Sequence, residues 1–287
     1  ALANKADETE VTESYLILQT QLQRTALKTN ILSNPAYKNI NPKITQRPIY
    51  QIVNAISSFL SSDLSQARTY IKNLNACDQK LIDNLNTHNK KFCRAYKTFL
   101  SLLLKEPFDK LSTFAADKVI YHLGESHCLS YAHHNMRING TNFRVAPLII
   151  FGAKAFHFSQ TKHNKYKVIT QTNLISIPKG SEVFISFGEI DCRSNEGFVT
   201  ATAKLKQPTQ ELIASTVIGY LKWFSEQNKT HNHNLHFLNV PAPLYNKKYS
   251  TSINRGVANN VALFNAKIAQ HIVRHGFNLI DVFAFTV

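Results

Sequence analysis

No glycine occurs in the first 123 residues of this chain; all nine lie at or after Gly124. Tight hairpins need residues that tolerate positive φ, so a glycine-free stretch of this size excludes a turn-rich sheet there. No apolar run approaches the ~20 residues that cross a bilayer, and no membrane span is expected. The four cysteines (Cys77, Cys93, Cys128, Cys192) form no Cys-x-x-Cys pair and no disulfide-like framework. They read as reduced, packed thiols of a cytoplasmic protein. The segment Ala1-Leu-Ala-Asn-Lys-Ala-Asp-Glu-Thr-Glu10 lacks the apolar core of a signal peptide. A phosphate-binding loop, a dinucleotide fingerprint, zinc-finger spacing and an RNA-recognition aromatic motif are all missing. Acidic residues are scarce beside basic ones, 18 against 33, for a net charge of +15. Such a balance favours polyanions. The charge is nevertheless spread over both halves of the chain, as on a Lys/Asn-rich solvated surface, and nucleic acid is not an expected partner.

What the first part does contain is helical spacing of apolar residues. Tyr15, Leu16, Leu18 and Leu22 mark one helix, and Ile52, Ile56, Phe59 and Leu60 another. Further helices are expected over 64–75, 77–87 and 89–104, with Pro35, Pro42 and Pro48 punctuating the long connection between the first two. Asp63-Leu-Ser-Gln-Ala67 followed by Tyr70-Ile71 has a tetratricopeptide-like character, although no period repeats cleanly. From about residue 117 the pattern changes. Strands are expected at 118–123, 144–151, 182–187, 235–240 and 277–283, with helices near 127–137, 207–228 and 254–274. Lys167-Val-Ile-Thr170 reads as strand or loop. The expectation is therefore a helical region over 1–116 and a linker near 105–117 around Pro107. A three-layer α/β domain over 117–287 follows, with a parallel sheet and helices on both faces.

Four of these strands end in polar clusters: Gly124-Glu125-Ser126-His127, Gly152-Ala153-Lys154-Ala155-Phe156-His157, Gly188-Glu189-Ile190-Asp191-Cys192-Arg193, and Asn239-Val240-Pro241-Ala242-Pro243. In a parallel sheet all four meet along one edge, where open α/β sheets place their sites. A serine there is a nucleophile if a base and an oxyanion site are supplied; otherwise Ser126 caps the following element. His127 adjoins Ser126 and is expected to point away from it in a structural role. His157 is an alternative imidazole near Gly152. Glu189 and Asp191 either cap their turn and pair with Arg193 or act directly in chemistry. Arg193 has the planar fork that holds a carboxylate or phosphate. His231, His233 and His236 read as a solvated loop rather than a metal site, and His133-His134 as helix surface. Neither a metal nor a cofactor is expected.

Residues 117–287 resemble the SGNH/GDSL hydrolase superfamily. Gly124-Glu125-Ser126 is similar to that family's Gly-Asp-Ser block, with Glu125 replacing Asp, and Gly188-Glu189-Ile190-Asp191 to its Gly-x-Asn-Asp block. The string Gly-Glu-Ile-Asp-Cys-Arg over 188–193 also resembles SGNH-like domains of bacterial surface-glycan gene clusters. The resemblance implies a flavodoxin-like domain with Ser126 as nucleophile. It also implies an oxyanion hole from the N–H groups of Ser126 and Gly152. Gly124, Glu125, Lys154, Gly188, Glu189, Asp191 and Arg193 would bind substrate or structure the site. The implied reaction is hydrolysis or transfer of an O-acyl ester, on an acylated carbohydrate or a small ester. Two departures stand out. The oxyanion asparagine falls at Ile190, which has no donor, a loss worth ~10²–10³ in rate. The family's Asp-x-x-His pair is absent after Asp281-Val-Phe-Ala-Phe-Thr-Val287, so the sequence reads as a fragment whose base lies beyond it. The rival expectation is a non-catalytic domain that holds an anionic glycan with Arg193 and Lys154, or docks a protein partner through its helical region.

Overall fold

In the computed structural model, residues 48–77, 79–105 and 116–286 are described, and the chain divides into two units, Ala1–Leu111 and Ser112–Val287. The expected Tyr15–Leu22 helix, Pro35, Pro42 and Pro107 lie outside the described residues.

Four helices are described in the first unit: α1 (Pro48–Leu60), α2 (Leu64–Ala76), α3 (Gln79–Asp83) and α4 (Thr87–Leu103). Pro48 begins α1, where its missing N–H costs nothing. One face of α1 buries Ile52, Val53, Ile56 and Phe59, and α2 contributes Ala67, Ile71 and Leu74. Side chains at the starts of two helices set their bounds: Asp63 accepts the Gln66 N–H at 2.9 Å and Asn86 the Asn89 N–H at 2.8 Å. The Asn86 cap begins α4 two residues before the expected 89 and leaves α3 shorter than the expected 77–87.

The second unit is α/β. Its strands are β1 (Lys118–Gly124), β2 (Asn135–Ile138), β3 (Thr141–Ile149), β4 (Glu182–Ser186), β5 (Asn234–Leu238) and β6 (Asn278–Ile280). Its helices are α5 (Ala155–Ser159), α6 (Lys165–Ser176), α7 (Glu189–Cys192), α8 (Phe198–Leu205), α9 (Thr209–Asn228) and α10 (Thr251–Ile272). The sheet order is β2-β3-β1-β4-β5-β6, with only β2 antiparallel to its neighbour. From β1 the chain proceeds first to one side, at β3, and then to the other, at β4. The carboxyl end of β1 is therefore the point where the strand order reverses, and a crevice opens there.

Three expectations are corrected. The helix near 127–137 is a 3₁₀ turn, Ser126–Leu129, followed by β2. Asn139 and Gly140 both have positive φ (48° and 83°), the two-residue turn that folds β2 back on β3. His133 and His134 are accordingly not on a helix: the His133 N–H donates to the Val145 carbonyl, and the Val145 N–H to the His134 carbonyl, each at 2.9 Å. Lys167-Val-Ile-Thr170 belongs to α6, because the Asn164 side chain caps the N–H groups of Tyr166 and Lys167 at 3.1 Å.

Alternation along the strands sorts two cores. Leu123, Leu148, Val183, Ile185, Leu235 and Phe237 face one way and pack with residues of α5, α6, α9 and α10, including Phe158, Leu174, Phe224 and Phe264. Ile120, Phe143, Val145, Phe184 and Leu238 face the other way and form a smaller cluster with Met136, Ile138, Ile280 and Val282. Among the described residues, no helix of the second unit contributes a side chain to that smaller cluster. No helix among the described residues is long and apolar enough to cross a membrane.

Candidate active site at the strand ends

β1 ends where only glycine fits. A Cβ on Gly124 would stand 2.2 Å from Ser186 Oγ and 2.8 Å from its carbonyl oxygen, on the adjacent strand end. Hydrogen bonds hold this junction on both sides: the Ile150 N–H donates to the Gly124 carbonyl at 2.7 Å, and the Glu125 N–H to the Ser186 carbonyl at 3.3 Å. Glu125 is 2% exposed. Its Oε2 accepts the Ser126 hydroxyl at 2.8 Å and the His127 N–H at 3.3 Å, while its Oε1 bonds His127 Nδ1 at 2.5 Å. Burial pushes the Glu125 carboxyl up, but the bonds and charge of His127, with the Ser126 hydroxyl, outweigh it and hold the group below the usual carboxylate range. Burial opposes protonation of His127. The Glu125 bond and charge, aided by Glu189, prevail and raise the imidazole above its ordinary value. His127, expected to point away, instead shares one carboxylate with Ser126.

Gly152, with φ +68°, turns the chain after β3, and the Ala153 N–H closes that turn on the Ile150 carbonyl at 3.2 Å. Among the described residues neither the Ser126 N–H nor the Gly152 N–H has a hydrogen-bond acceptor. Asp191 is wholly buried and accepts the N–H groups of Ala155 and Phe156 at 2.8 and 3.0 Å. His157 is engaged nearby: its Nδ1 accepts the Lys154 N–H at 3.0 Å and its ring stacks on Tyr166 with centroids 4.0 Å apart. Burial, with the charges of Lys154 and Lys165, pushes this imidazole down to about 4. His157 thus closes a helix start through its Nδ1.

Both cations singled out in the sequence have carboxylate partners. Arg193 makes three hydrogen bonds to Glu189, at 2.6–3.0 Å, and one to Glu196 at 3.1 Å. Lys154 Nζ lies 3.3 Å from Glu196. Burial opposes the charge on Arg193, but Glu189 and Glu196 raise its pKa further. Gly188 begins this turn at φ +131°, with its missing Cβ taken up by the Phe264 ring. Ile190 is 7% exposed and offers no donor.

A cavity of about 790 Å³ opens beside these groups, lined by His127, Glu189 and Arg193 on one side and by Tyr245, Tyr249 and Arg255 on another. Ser126 itself is not on that lining. The loop after β5 shapes the far wall, held by Asn265, whose side chain accepts the Val240 N–H at 2.9 Å and donates to the Val240 carbonyl at 2.8 Å. Asn239 turns away from the cavity and donates to Asp281 Oδ1 at 2.7 Å.

Glu125, His127 and Glu189 offer three donor atoms within 4.8 Å of one another, a set of the kind that holds a divalent cation. The positive charge against Glu189 is the Arg193 guanidinium. Two of the three histidines expected in a solvated loop, His233 and His236, are instead structural. His233 is buried with Nε2 3.3 Å from the Leu174 carbonyl, and His236, on β5, bonds Glu182 at 2.5 Å. Cys93, Cys128 and Cys192 are buried free thiols, and burial raises the pKa of each. No family model matches the chain, and neither a curated protein nor a solved structure matches it.

Proposed function

We propose that the unit Ser112–Val287 is a flavodoxin-like, SGNH-like domain that hydrolyses or transfers an O-acyl ester through Ser126, with an acylated carbohydrate as substrate class. One observation carries the reading. Ser126 stands at the carboxyl end of the strand where the order reverses, with its hydroxyl hydrogen-bonded to a buried carboxylate. The parallel strands run β3-β1-β4-β5-β6, the 2-1-3-4-5 order of flavodoxin-like sheets. In the reaction Ser126 Oγ attacks the ester carbonyl. The unoccupied N–H groups of Ser126 and Gly152 are the donors available to the tetrahedral oxyanion. The two cavity tyrosines and Arg255 suit the stacking and polar contacts of a sugar acceptor.

A fluorophosphonate probe applied to the full chain tests this. Labelling at Ser126 that disappears in Ser126→Ala is expected; labelling that survives the substitution refutes the assignment.

The second reading is a non-catalytic binding domain, favoured by Ile190 in the place of an oxyanion donor. Its anionic-glycan form loses support from Glu189 and Glu196, which already neutralise Arg193 and Lys154. A folded chain that takes no label at Ser126 would decide for this reading.

A further inference from the structure

We propose that Glu125 and His127 form a proton-transfer pair that serves Ser126 from within the same strand-end turn. This rests on the reading of Ser126 as nucleophile. It differs from that family resemblance, which places the base after the last strand.

The two oxygens of one carboxylate have different partners. Glu125 Oε2 accepts the Ser126 hydroxyl at 2.8 Å, so the proton that must leave the nucleophile has a direct acceptor. Glu125 Oε1 bonds His127 Nδ1 at 2.5 Å, which fixes the ring and leaves Nε2 as its second functional atom. Among the described residues Nε2 has no hydrogen-bond partner. The ring is 42% exposed and forms part of the wall of the 790 Å³ cavity. The 3₁₀ turn produces this arrangement, because Glu125 caps it through the His127 N–H and thereby brings residues two apart onto one carboxylate.

In acylation the Ser126 Oγ–carbon bond forms and the ester bond to the leaving alcohol breaks. The Oγ proton passes to Glu125 Oε2, and imidazolium His127 gives its Nε2 proton to the leaving oxygen. In deacylation water attacks the acyl carbon and neutral His127 Nε2 takes its proton. Glu125 returns its proton to Ser126 Oγ as the acyl–oxygen bond breaks. Both groups end as they began, and an alcohol in place of water gives transfer. The two hydrogen bonds to one carboxylate couple the two transfers, because each member of the pair favours the ionised form of the other at rest. The other charged or titratable groups coupled to the pair among the described residues include Glu189, which favours the imidazolium, Arg193, which opposes it, buried His122, and the buried Cys128 thiol, whose ionisation Glu125 opposes.

The test uses the full chain, p-nitrophenyl acetate and ethyl acetate. p-Nitrophenolate leaves without a proton and ethoxide does not. His127→Gln is therefore expected to keep the first burst of p-nitrophenolate, then stall with turnover about 10²–10³-fold lower. It should leave ethyl acetate untouched, and added imidazole should restore turnover. Fluorophosphonate labelling of Ser126 should persist in this variant, because fluoride also leaves without a proton. Glu125→Gln is expected to lose the burst; because His127 is half-exposed, His127→Gln tests the pair even where the Glu125 variant does not fold. Wild-type turnover in His127→Gln overturns the pair, as does loss of its burst with the melting temperature unchanged. A labelled wild-type chain that turns over neither ester overturns the pair alone. A wild-type chain that takes no label overturns the Ser126 reading and the pair together.

Discussion

The carboxylate of Asp191 accepts the backbone N–H of Ala155 at 2.8 Å, from a position 36 residues further along the chain. With the Phe156 N–H at 3.0 Å, this clamps the turn after β4 onto the start of α5, just beyond Gly152. Burial pushes the carboxyl up to about 7, against the pull of the two N–H groups and of Lys154. An acid whose folded value lies above its ordinary 3.8 binds more protons folded than unfolded between those limits. Its contribution is therefore full below about pH 4 and is lost as pH rises towards about 7. Asp191→Asn removes this dependence and turns an amide N–H₂ against one backbone donor, at a cost of about 1–3 kcal/mol. Thermal melts of both proteins between pH 4.5 and 8 are expected to converge towards high pH. A constant gap would contradict the shifted carboxyl.

His122 works in the opposite sense. It is wholly buried on β1, with Nε2 2.9 Å from Ser186 Oγ and Nδ1 without a hydrogen-bond partner among the described residues. Burial lowers the imidazole to about 3, so it stays neutral in the fold while the unfolded chain takes a proton below about 6.5. Its stability contribution is present above about pH 6.5 and is lost as pH falls towards about 3. His122→Gln keeps a group able to bond Ser186 and does not titrate. Acid unfolding followed by Trp223 fluorescence should move to lower pH in this variant. An unmoved midpoint would show that His122 is not a source of acid lability.

How much of this was readable beforehand depended on whether the signal was local. The abrupt stop of an apolar strand at Gly124-Glu125-Ser126 is local, and β1 ends there. So is the mutual attraction of Glu189 and Arg193, four apart on a short helical turn. Asn139-Gly140 is also a local signal, the strongest short hairpin pair. The long apolar and histidine-containing stretch before it reads as a helix and conceals β2. The position of His127 was not readable from its adjacency to Ser126, because it depends on Glu125 folding back as a cap. Asn265 was beyond reach for another reason: its partner Val240 is 25 residues away, and an Asn within a helix announces no such contact. The two cores were equally hidden, since β1 buries both Ile120 and Leu123 on opposite faces.

Gly124 gives a steric prediction. Ala at this position places a methyl 2.2 Å from Ser186 Oγ, 2.8 Å from the Ser186 carbonyl and 3.2 Å from Cys128 Cβ. Overpacking of this kind costs about 1–3 kcal/mol, and more where backbone must yield. Gly124→Ala should lower the melting temperature, and adding Ser186→Ala should recover only part of the loss, because the carbonyl contact remains. Full recovery in the double variant would mean that the hydroxyl alone forbids the side chain.

Arg193 separates a structural cation from a ligand-binding one. Its side chain is 41% exposed and its guanidinium spans Glu189 and Glu196, with the planar fork on Glu189. Solvent screening at that exposure limits the ion pairs to about 1 kcal/mol of stability. Arg193→Ala is therefore expected to give a small fall in melting temperature. Arg193→Lys should recover it incompletely, since an ammonium cannot replace the fork. The larger effect falls on His127. Arg193 opposes its protonation and Glu189 favours it, so removing the guanidinium leaves Glu189 uncompensated and moves the imidazole further up. An NMR titration of the His127 ring in both proteins should show the variant protonated to higher pH. The same samples titrated with glucuronate test the anionic-glycan reading, under which Arg193→Ala abolishes binding while melting stays unchanged. With two carboxylates already on the guanidinium, the expected order is the reverse: stability and the His127 titration respond, and glucuronate binding does not depend on Arg193.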